Sequence, residues 1–301
     1  MIAPAPTLVR PNRIRATAIG FTAVLMWALL ALFTAASGKV PPFQLAAMCF
    51  LIGGLIGVSR WITVAQARAS LRQPAIVWLL GVGGLFGYHF FYFTALRNAP
   101  AVEAGLIAYL WPLLIVLFSA LLPGERLGLH HILGALLGLA GAALIVTGGT
   151  GLVFKQEFAL GYGAALLCAV IWSSYSVLSR RFSGVSTDVV TGFCLMTALL
   201  SAIAHMALET TVWPADAVEW LAVLALGLMP VGAAFYVWDY GVKHGDIQVL
   251  GASSYAAPLL STVILIAAGF AQATWAIAIA CLLITGGAAL AAKDMIAPRK
   301  T

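Results

Sequence analysis

Residues 101–122 read AVEAGLIAYLWPLLIVLFSALL, and residues 247–268 read IQVLGASSYAAPLLSTVILIAA. Laid over one another at a shift of 146 residues, Gly105 falls on Gly251, Tyr109 on Tyr255 and Pro112 on Pro258. The same shift places Arg97 on Lys243, Gly81 on Gly227 and Gly141 on Gly287, so a single register runs through three apolar segments. Trp27 and Trp172 differ by 145, as one loop deletion would leave them. Glycine and alanine coincide often in apolar sequence, but two Tyr-x-x-Pro runs in mid-segment do not. The chain is an internal repeat.

Its medium follows from composition. Charged residues are 9% of the 301 and hydrophobic residues 62%, with a mean hydropathy of +1.03, where a soluble domain carries about a quarter charged residues. Too little polar surface exists to coat a globule, which excludes a soluble enzyme. A helical span takes about 20 residues, and ten are read at 14–37, 41–59, 74–96, 100–121, 129–148, 158–180, 187–208, 217–241, 246–268 and 272–292. They leave no room for a soluble domain. The runs are continuously apolar rather than alternating, so they read as helices and not barrel strands. The first, preceded by Arg10, Arg13 and Arg15 and ending in Ala35-Ala36-Ser37, exceeds the roughly 7–15 residues of a signal-peptide core and reads as an uncleaved helix.

The net charge of +6 does not point to nucleic acid, because the basic residues are scattered. With the N-terminus cytoplasmic, the inner side collects Arg10, Arg13, Arg15, Arg60, Arg68, Arg72, Arg126, Arg180, Arg181, Lys243, Lys293, Arg299 and Lys300, and the outer side only Lys39, Arg97 and Lys155. This bias sets both termini in the cytoplasm. Five spans per half, an odd number, turn the second half over, so the fold class is an all-α integral membrane protein of ten transmembrane helices in two inverted five-helix repeats, 14–148 and 158–292. Such repeats characterise secondary transporters, whose substrates bind near the midplane where helices are interrupted.

Pro112 and Pro258 lie in mid-span, where proline removes a donor and crowds the carbonyl four residues earlier, freeing those of Ala108 and Ser254. Polar and aromatic residues gather around these breaks: Tyr109, Trp111, Ser253, Ser254 and Tyr255 on the broken spans, Tyr88, His89 and Tyr92 on the third, Trp27 on the first, Trp172 and Tyr175 on the sixth. Tyrosine and tryptophan favour membrane interfaces, the reading for Trp61, Trp78, Trp213 and Trp220, so mid-span rings are read as lining an aromatic cavity. Stacking faces, hydroxyls and almost no formal charge suit a neutral or zwitterionic solute with a large apolar part, such as an aromatic amino acid.

Ionisable residues within spans are functional suspects. His89 is the deepest and a candidate proton carrier. Glu103 and Asp239 lie nearer span ends, Asp239 paired with Lys243 at i,i+4. His130, His131, His205 and His244 are read as solvated. Cys49, Cys168, Cys194 and Cys281 read as small buried hydrophobes without metal spacing, and the GxxxG pairs Gly53/Gly57, Gly83/Gly87 and Gly134/Gly138 as packing positions within the bundle. HExxH, GxxxxGK[ST] and GxSxG are all missing from the sequence, so no catalytic residue, metal or cofactor is expected. The partners expected are a small-molecule substrate and the bilayer, around a monomer.

The run Glu103-Ala104-Gly105 followed by Tyr109-Leu110-Trp111-Pro112, with Ile171-Trp172, Tyr175, and His244-Gly245-Asp246 leading to Ser254-Tyr255 and Pro258, resembles the EamA-type branch of the drug/metabolite transporters, in particular the YddG-type aromatic amino acid exporters. The likeness covers nearly the whole chain. It implies an inner-membrane exporter of aromatic amino acids, and of related aromatic or cationic compounds, with a central cavity lined by these residues; a multidrug or other small-metabolite exporter of the same fold is the alternative. Relatives in the superfamily often carry an acidic residue after the fourth and ninth spans. Glu125 stands at the first position and Ala271 at the second, which puts a symmetric acidic pair in doubt.

Overall fold

The computed structural model describes residues 12–151, 154–267 and 272–296. Arg10, Arg299, Lys300, residue 268 at the end of the ninth expected span, and Ala271 lie outside them. The described residues are helical throughout, without strands. Among the described residues nine helical stretches are long and apolar enough to cross a membrane: Arg13–Ala36, Pro42–Thr63, Ala75–Asn98, Ala101–Leu121, Leu129–Thr147, Gln156–Phe182, Thr187–Leu208, Ala217–His244 and Ile247–Ala267. Trp275–Ala291 is a shorter apolar helix and completes ten. Outward-facing leucines such as Leu79, Leu160, Leu221 and Leu282 are more than 60% exposed, a surface that hydrocarbon rather than water covers.

Local chemistry sets the helix ends. Asn12 Oδ1 accepts from the backbone N–H of Ile14 and Arg15 at 3.0 and 3.2 Å, starting span 1. Asp216 caps span 8 through Val218 and Glu219 at 2.8 and 2.9 Å, and Asp246 caps span 9 through Val249 at 3.1 Å. Each satisfies donors that a helix start leaves unpaired. Pro42 opens span 2, where a missing N–H costs nothing. Gly148, at φ 61°, ends span 5 in the left-handed conformation that glycine reaches without strain.

Packing follows the two-fold relation between repeats. Span 5 packs on span 10 and span 2 on span 7, each on its own counterpart, while span 1 packs on span 8 as span 6 packs on span 3. The span 5–span 10 contact is backbone against backbone: a Cβ added to Gly134 would meet the Gly287 carbonyl oxygen at 2.5 Å, and one on Gly287 would meet that of Gly134 at 2.5 Å. The Gly134/Gly138 pair is thus a packing position within the bundle, as small residues are in membrane helices.

Two expectations need correction here. Span 1 is not one helix: it runs as Arg13–Trp27 and Leu30–Ala36, with a turn at Ala28–Leu29. Cys281 is exposed on the outside of span 10, unlike the buried Cys49, Cys168 and Cys194, because its face of the helix meets no other span.

Gly287→Leu should lower the thermal midpoint in detergent strongly, since overpacking typically costs about 1–3 kcal/mol and here the obstacle is backbone. Gly286→Leu, whose Cβ would meet nothing within 4 Å, should shift it little. Equal midpoints for the two variants would contradict this packing.

Candidate functional site

Spans 4 and 9 break where their prolines require it. Span 4 runs as Ala101–Ala108 and Trp111–Phe118 about a turn at Tyr109–Leu110, and span 9 as Ile247–Ser253 and Ala256–Ala267 about Ser254–Tyr255. Spans 3 and 8 carry a second matched pair of irregularities, π-helical turns at Gly83–Gly87 and Met229–Ala233, also 146 residues apart. Insertions of this kind inside α-helices are frequent at functional sites. The glycines of span 3 and Pro230 of span 8 are their signal in the sequence.

Side chains take up the backbone groups at these irregularities. Leu113, in the first turn after the span 4 break, donates its N–H to Tyr255 Oη at 3.2 Å. Ser173 Oγ donates to the Trp111 carbonyl at 3.0 Å. Trp27 Nε1 donates to the Pro230 carbonyl, within the π-turn of span 8, at 3.1 Å. The Ser254 carbonyl is not free as expected, because it accepts from Ala257 N–H at 3.1 Å. The turn closes a three-residue hydrogen bond where the four-residue one is lost.

The irregular segments surround a cluster of indoles. Trp27, Trp111, Trp172 and Trp238 are all in mutual contact, with all six pairs of ring centroids between 5.0 and 6.3 Å apart. Five of these pairs are inclined, four edge-to-face at 75–89° and Trp27–Trp238 tilted at 54°, arrangements that aromatic quadrupoles prefer to a flat sandwich. Trp238 Nε1 is satisfied by Ser176 Oγ at 3.1 Å. In this conformation the aromatic faces cover one another.

Tyr88 extends the cluster, 5.6 Å from Trp172 and stacked on Tyr92 at 5.8 Å and 6°. Tyr175 lies 5.2 Å from Trp172, and Tyr109 stands at the turn that breaks span 4. His89 is ringed by Phe50 at 5.0 Å, Tyr88 at 5.2 Å, Phe93 at 6.0 Å and Phe235 at 6.3 Å. Its Nδ1 is 2.7 Å from the Leu85 carbonyl, which can only accept, so Nδ1 carries a hydrogen. Ser254 and Tyr255, both fully buried, are not in the cluster. Tyr255 packs among Val116, Ala252, Leu259 and Ile284 behind the break, and the hydroxyls of Ser253 and Ser254 donate back to the Leu250 carbonyl at 3.2 and 2.7 Å. Pro112 and Pro258 are buried at the breaks themselves.

Trp238, Phe235 and Phe50 belong to the cluster and were not among the candidates read from the sequence. The repeat register held the signal for two of them: the 146-residue shift that pairs the prolines also lays Trp238 on Tyr92 and Phe235 on His89.

Apart from the Asp239–Lys243 pair, the ion pairs among the described residues gather at the two ends of the bundle. At one end Glu125, 7% exposed at its side chain, accepts from Arg13 Nη2 at 3.0 Å and Arg180 Nη2 at 2.5 Å, and Arg13 Nη2 also meets Asp246 Oδ2 at 3.0 Å. Arg180 Nη1 donates to the carbonyls of Val242 and Gly245 at 2.9 and 2.8 Å. Elements of both repeats are tied together there. At the other end Glu209 pairs with Arg97 at 2.6 Å and His205 at 3.0 Å and accepts from Phe43 N–H at 3.0 Å. His205 is therefore buried rather than solvated, its second nitrogen 2.9 Å from Thr211 Oγ1. His131 is buried too, its Nδ1 accepting from Gly128 N–H at 3.0 Å, and His130 and His244 are half-buried. Helix starts and ends give His131 a backbone partner and His130 and His205 carboxylate partners, while the His244 ring lies 4.9 Å from that of Tyr240. Asp239 pairs with Lys243 at 2.8 Å as expected, but the pair is fully enclosed.

The profile of the EamA-like transporter family matches residues 15–147 and 159–292. The aromatic amino acid exporter YddG of Ancylobacter novellus is 59% identical over 93% of this chain and 98% of its own length. That of Escherichia coli is 28% identical over 93% and 97%. A crystal structure 57% identical in sequence superposes with a TM-score of 0.90, covering 96% of this chain and all of the other.

Tyr255→Phe removes the acceptor for Leu113 N–H and leaves a buried donor unpaired, at a cost of about 1–3 kcal/mol. Its thermal midpoint should fall while the fluorescence of the indole cluster is retained. An unshifted midpoint would show that this bond does not hold the break.

Proposed function

The chain belongs to the EamA-like transporter family, and from that premise we propose that it is a secondary transporter exporting aromatic amino acids across a bacterial inner membrane by alternating access. Its two units are 14–148 and 158–292, both termini are cytoplasmic, and the protein works as a monomer on a small-molecule substrate. The observation that carries the reading is the indole cluster: four mutually contacting tryptophans, flanked by Tyr88, Tyr92, Tyr109, Tyr175 and His89, at the depth where four spans lose regular helix.

An aromatic side chain entering this cluster replaces one ring-to-ring contact by another, and such pairs are worth about 0.5–1.5 kcal/mol each beyond the area they bury. The substrate ammonium finds ring faces, which attract cations. Its carboxylate finds the hydroxyls of Tyr88 and Tyr92 beside the indoles rather than a formal positive charge. A zwitterion with a planar apolar side chain matches each of these groups. The relatives named as aromatic amino acid exporters support this substrate class, and the relative in Pseudomonas aeruginosa named as a pseudopaline exporter, 28% identical over 85% of the chain, supports the export of amino-acid-like solutes more broadly.

The network of Arg13, Glu125, Arg180 and Asp246 lies, on this topology, at the cytoplasmic ends of spans 1, 4, 6 and 8–9. It closes that side, and admission of substrate from the cytoplasm requires it to part. Export then alternates between this clamp and contacts at the outer end.

Purified protein in liposomes preloaded with tryptophan should take up labelled tryptophan and phenylalanine by counterflow, with a cationic dye moved poorly. Trp111→Ala and Trp172→Ala should each reduce the rate at least tenfold with normal insertion. Movement of the dye alone would favour the multidrug reading, and unchanged tryptophan exchange in both variants would remove these rings from the site. Glu125→Gln leaves Arg13 and Arg180 facing one another with less compensation. It should lower the thermal midpoint and change the exchange rate, whereas parental values for both would show that the network is not a gate.

A further inference from the structure

A second polar site lies between the indole cluster and the clamped end. A small cavity there is lined by Val77 and Gly81 of span 3, Tyr175 and Ser179 of span 6, and Asp239 and Lys243 of span 8. Asp239 is 0% exposed, and its Oδ2 accepts from Lys243 Nζ at 2.8 Å and Thr187 Oγ1 at 2.7 Å. Its other oxygen, Oδ1, is buried without a hydrogen-bond partner among the described residues, and so is Tyr175 Oη. An acceptor and a donor thus stand unpartnered on two residues that line one small cavity, a costly arrangement in a low-dielectric interior unless something bridges them.

We propose that this cavity is a proton-carrying site, in which Asp239 Oδ1 takes up a proton delivered by a water held between it and Tyr175 Oη. The proposal rests on the exporter reading and deepens it: the group that couples export to a proton gradient is Asp239 rather than His89. His89 is enclosed by rings and hydrogen-bonded to a carbonyl, whereas Asp239 has a free carboxylate oxygen, a countercharge and a cavity.

The step balances simply. A hydronium ion gives its proton to the carboxylate, an O–H bond forms at Oδ1, and water is left. The Asp239–Lys243 pair then goes from neutral to a net single positive charge, which loosens Lys243 from Asp239. Release reverses it.

The surroundings suit this role. Spans 3 and 7 present only apolar side chains to the cavity, among them Leu80 and Phe193. The loop before span 7 gives Thr187 and the Val185 carbonyl, which accepts from Lys243 Nζ at 3.0 Å. Ser179 is the remaining hydroxyl of span 6 at the cavity, and the next charge on that span, Arg180, is engaged by Glu125. His244, beside Lys243, is the other titratable group near the pair, its ring 4.9 Å from that of Tyr240. On the opposite side the Tyr175 ring is 5.2 Å from Trp172. The proton site and the indole cluster therefore share a residue, through which occupancy of one reaches the other.

The test uses the full chain in liposomes carrying pyranine, with labelled tryptophan. The parent should move protons opposite to net tryptophan flux, and an imposed pH gradient should speed net transport. Asp239→Asn should lose at least nine-tenths of the tryptophan-dependent proton flux and of the gradient-driven transport, while equal-pH exchange stays within about threefold of the parent. Tyr175→Phe, which keeps the ring and removes the hydroxyl, should slow proton flux more than exchange. A parent that exchanges tryptophan without moving protons overturns the proposal and leaves the exporter reading intact, as does full proton coupling in Asp239→Asn. Equal loss of exchange and proton flux in both variants makes the pair structural and also overturns it. A parent that exchanges no tryptophan overturns both readings.

Discussion

In hydrocarbon every backbone N–H and C=O needs a partner within the protein, and an unpaired one costs several kcal/mol. The architecture depends on how this chain meets that constraint while breaking its own helices. Spans 4 and 9 break at turns, and spans 3 and 8 loosen into π-turns, at matched places in the two repeats. The groups so exposed are taken up by Tyr255, Ser173 and Trp27, each from a different span. The breaks therefore hold the bundle together as well as interrupting it. Trp27 shows the economy best: its indole N–H closes the π-turn of span 8 while its ring faces three other indoles. The hydrogen bonds that make broken helices tolerable also orient the aromatic cluster.

The two repeats agree in backbone and differ in side chains. Breaks and π-turns recur at shifts of 145 and 146 residues, yet Tyr92 answers to Trp238, His89 to Phe235 and Phe93 to Asp239. An inverted repeat supplies two related half-sites, and divergence at equivalent positions turns them into one asymmetric site. A zwitterion with a ring at one end needs such asymmetry, because its two ends present different chemistry. The polar ends have diverged in the same way. The position answering to Arg13 at the 145-residue shift of the first span is Phe158, and that answering to Glu125 at 146 is Ala271, so the four-residue clamp at one end is not copied at the other, where Glu209 instead ties spans 2, 3 and 7.

Much of this was legible before any coordinates. Hydropathy marks ten spans because each must be long and apolar, and the shared register of Tyr109/Pro112 with Tyr255/Pro258 reveals both the repeat and the location of its breaks. Trp27, Trp111 and Trp172 stand out because mid-span indoles need an explanation that interfacial ones do not. What escaped was of two kinds. Tyr255 and Ser254 sit at the right depth but on the far side of span 9, and which side a residue takes depends on helix rotation about a break, which spacing does not determine. The burial of His131 and His205 depends on partners remote in sequence or across a helix end, which residue type does not report.

The scarcity of charge now has a distribution. Arg13, Glu125, Arg180 and Asp246 close one end, Arg97, His205 and Glu209 brace the other, and between them stands one enclosed pair, Asp239 with Lys243. Removing two charges from water is expensive and is seldom repaid by their mutual attraction alone. Apolar residues of similar size would pack this position at no such cost. A pair kept there, with one carboxylate oxygen left without a partner beside a cavity, is therefore better explained by a use than by stability. If the indole cluster recognises a ring without charge, as proposed, the carboxylate of Asp239 is left for the proton.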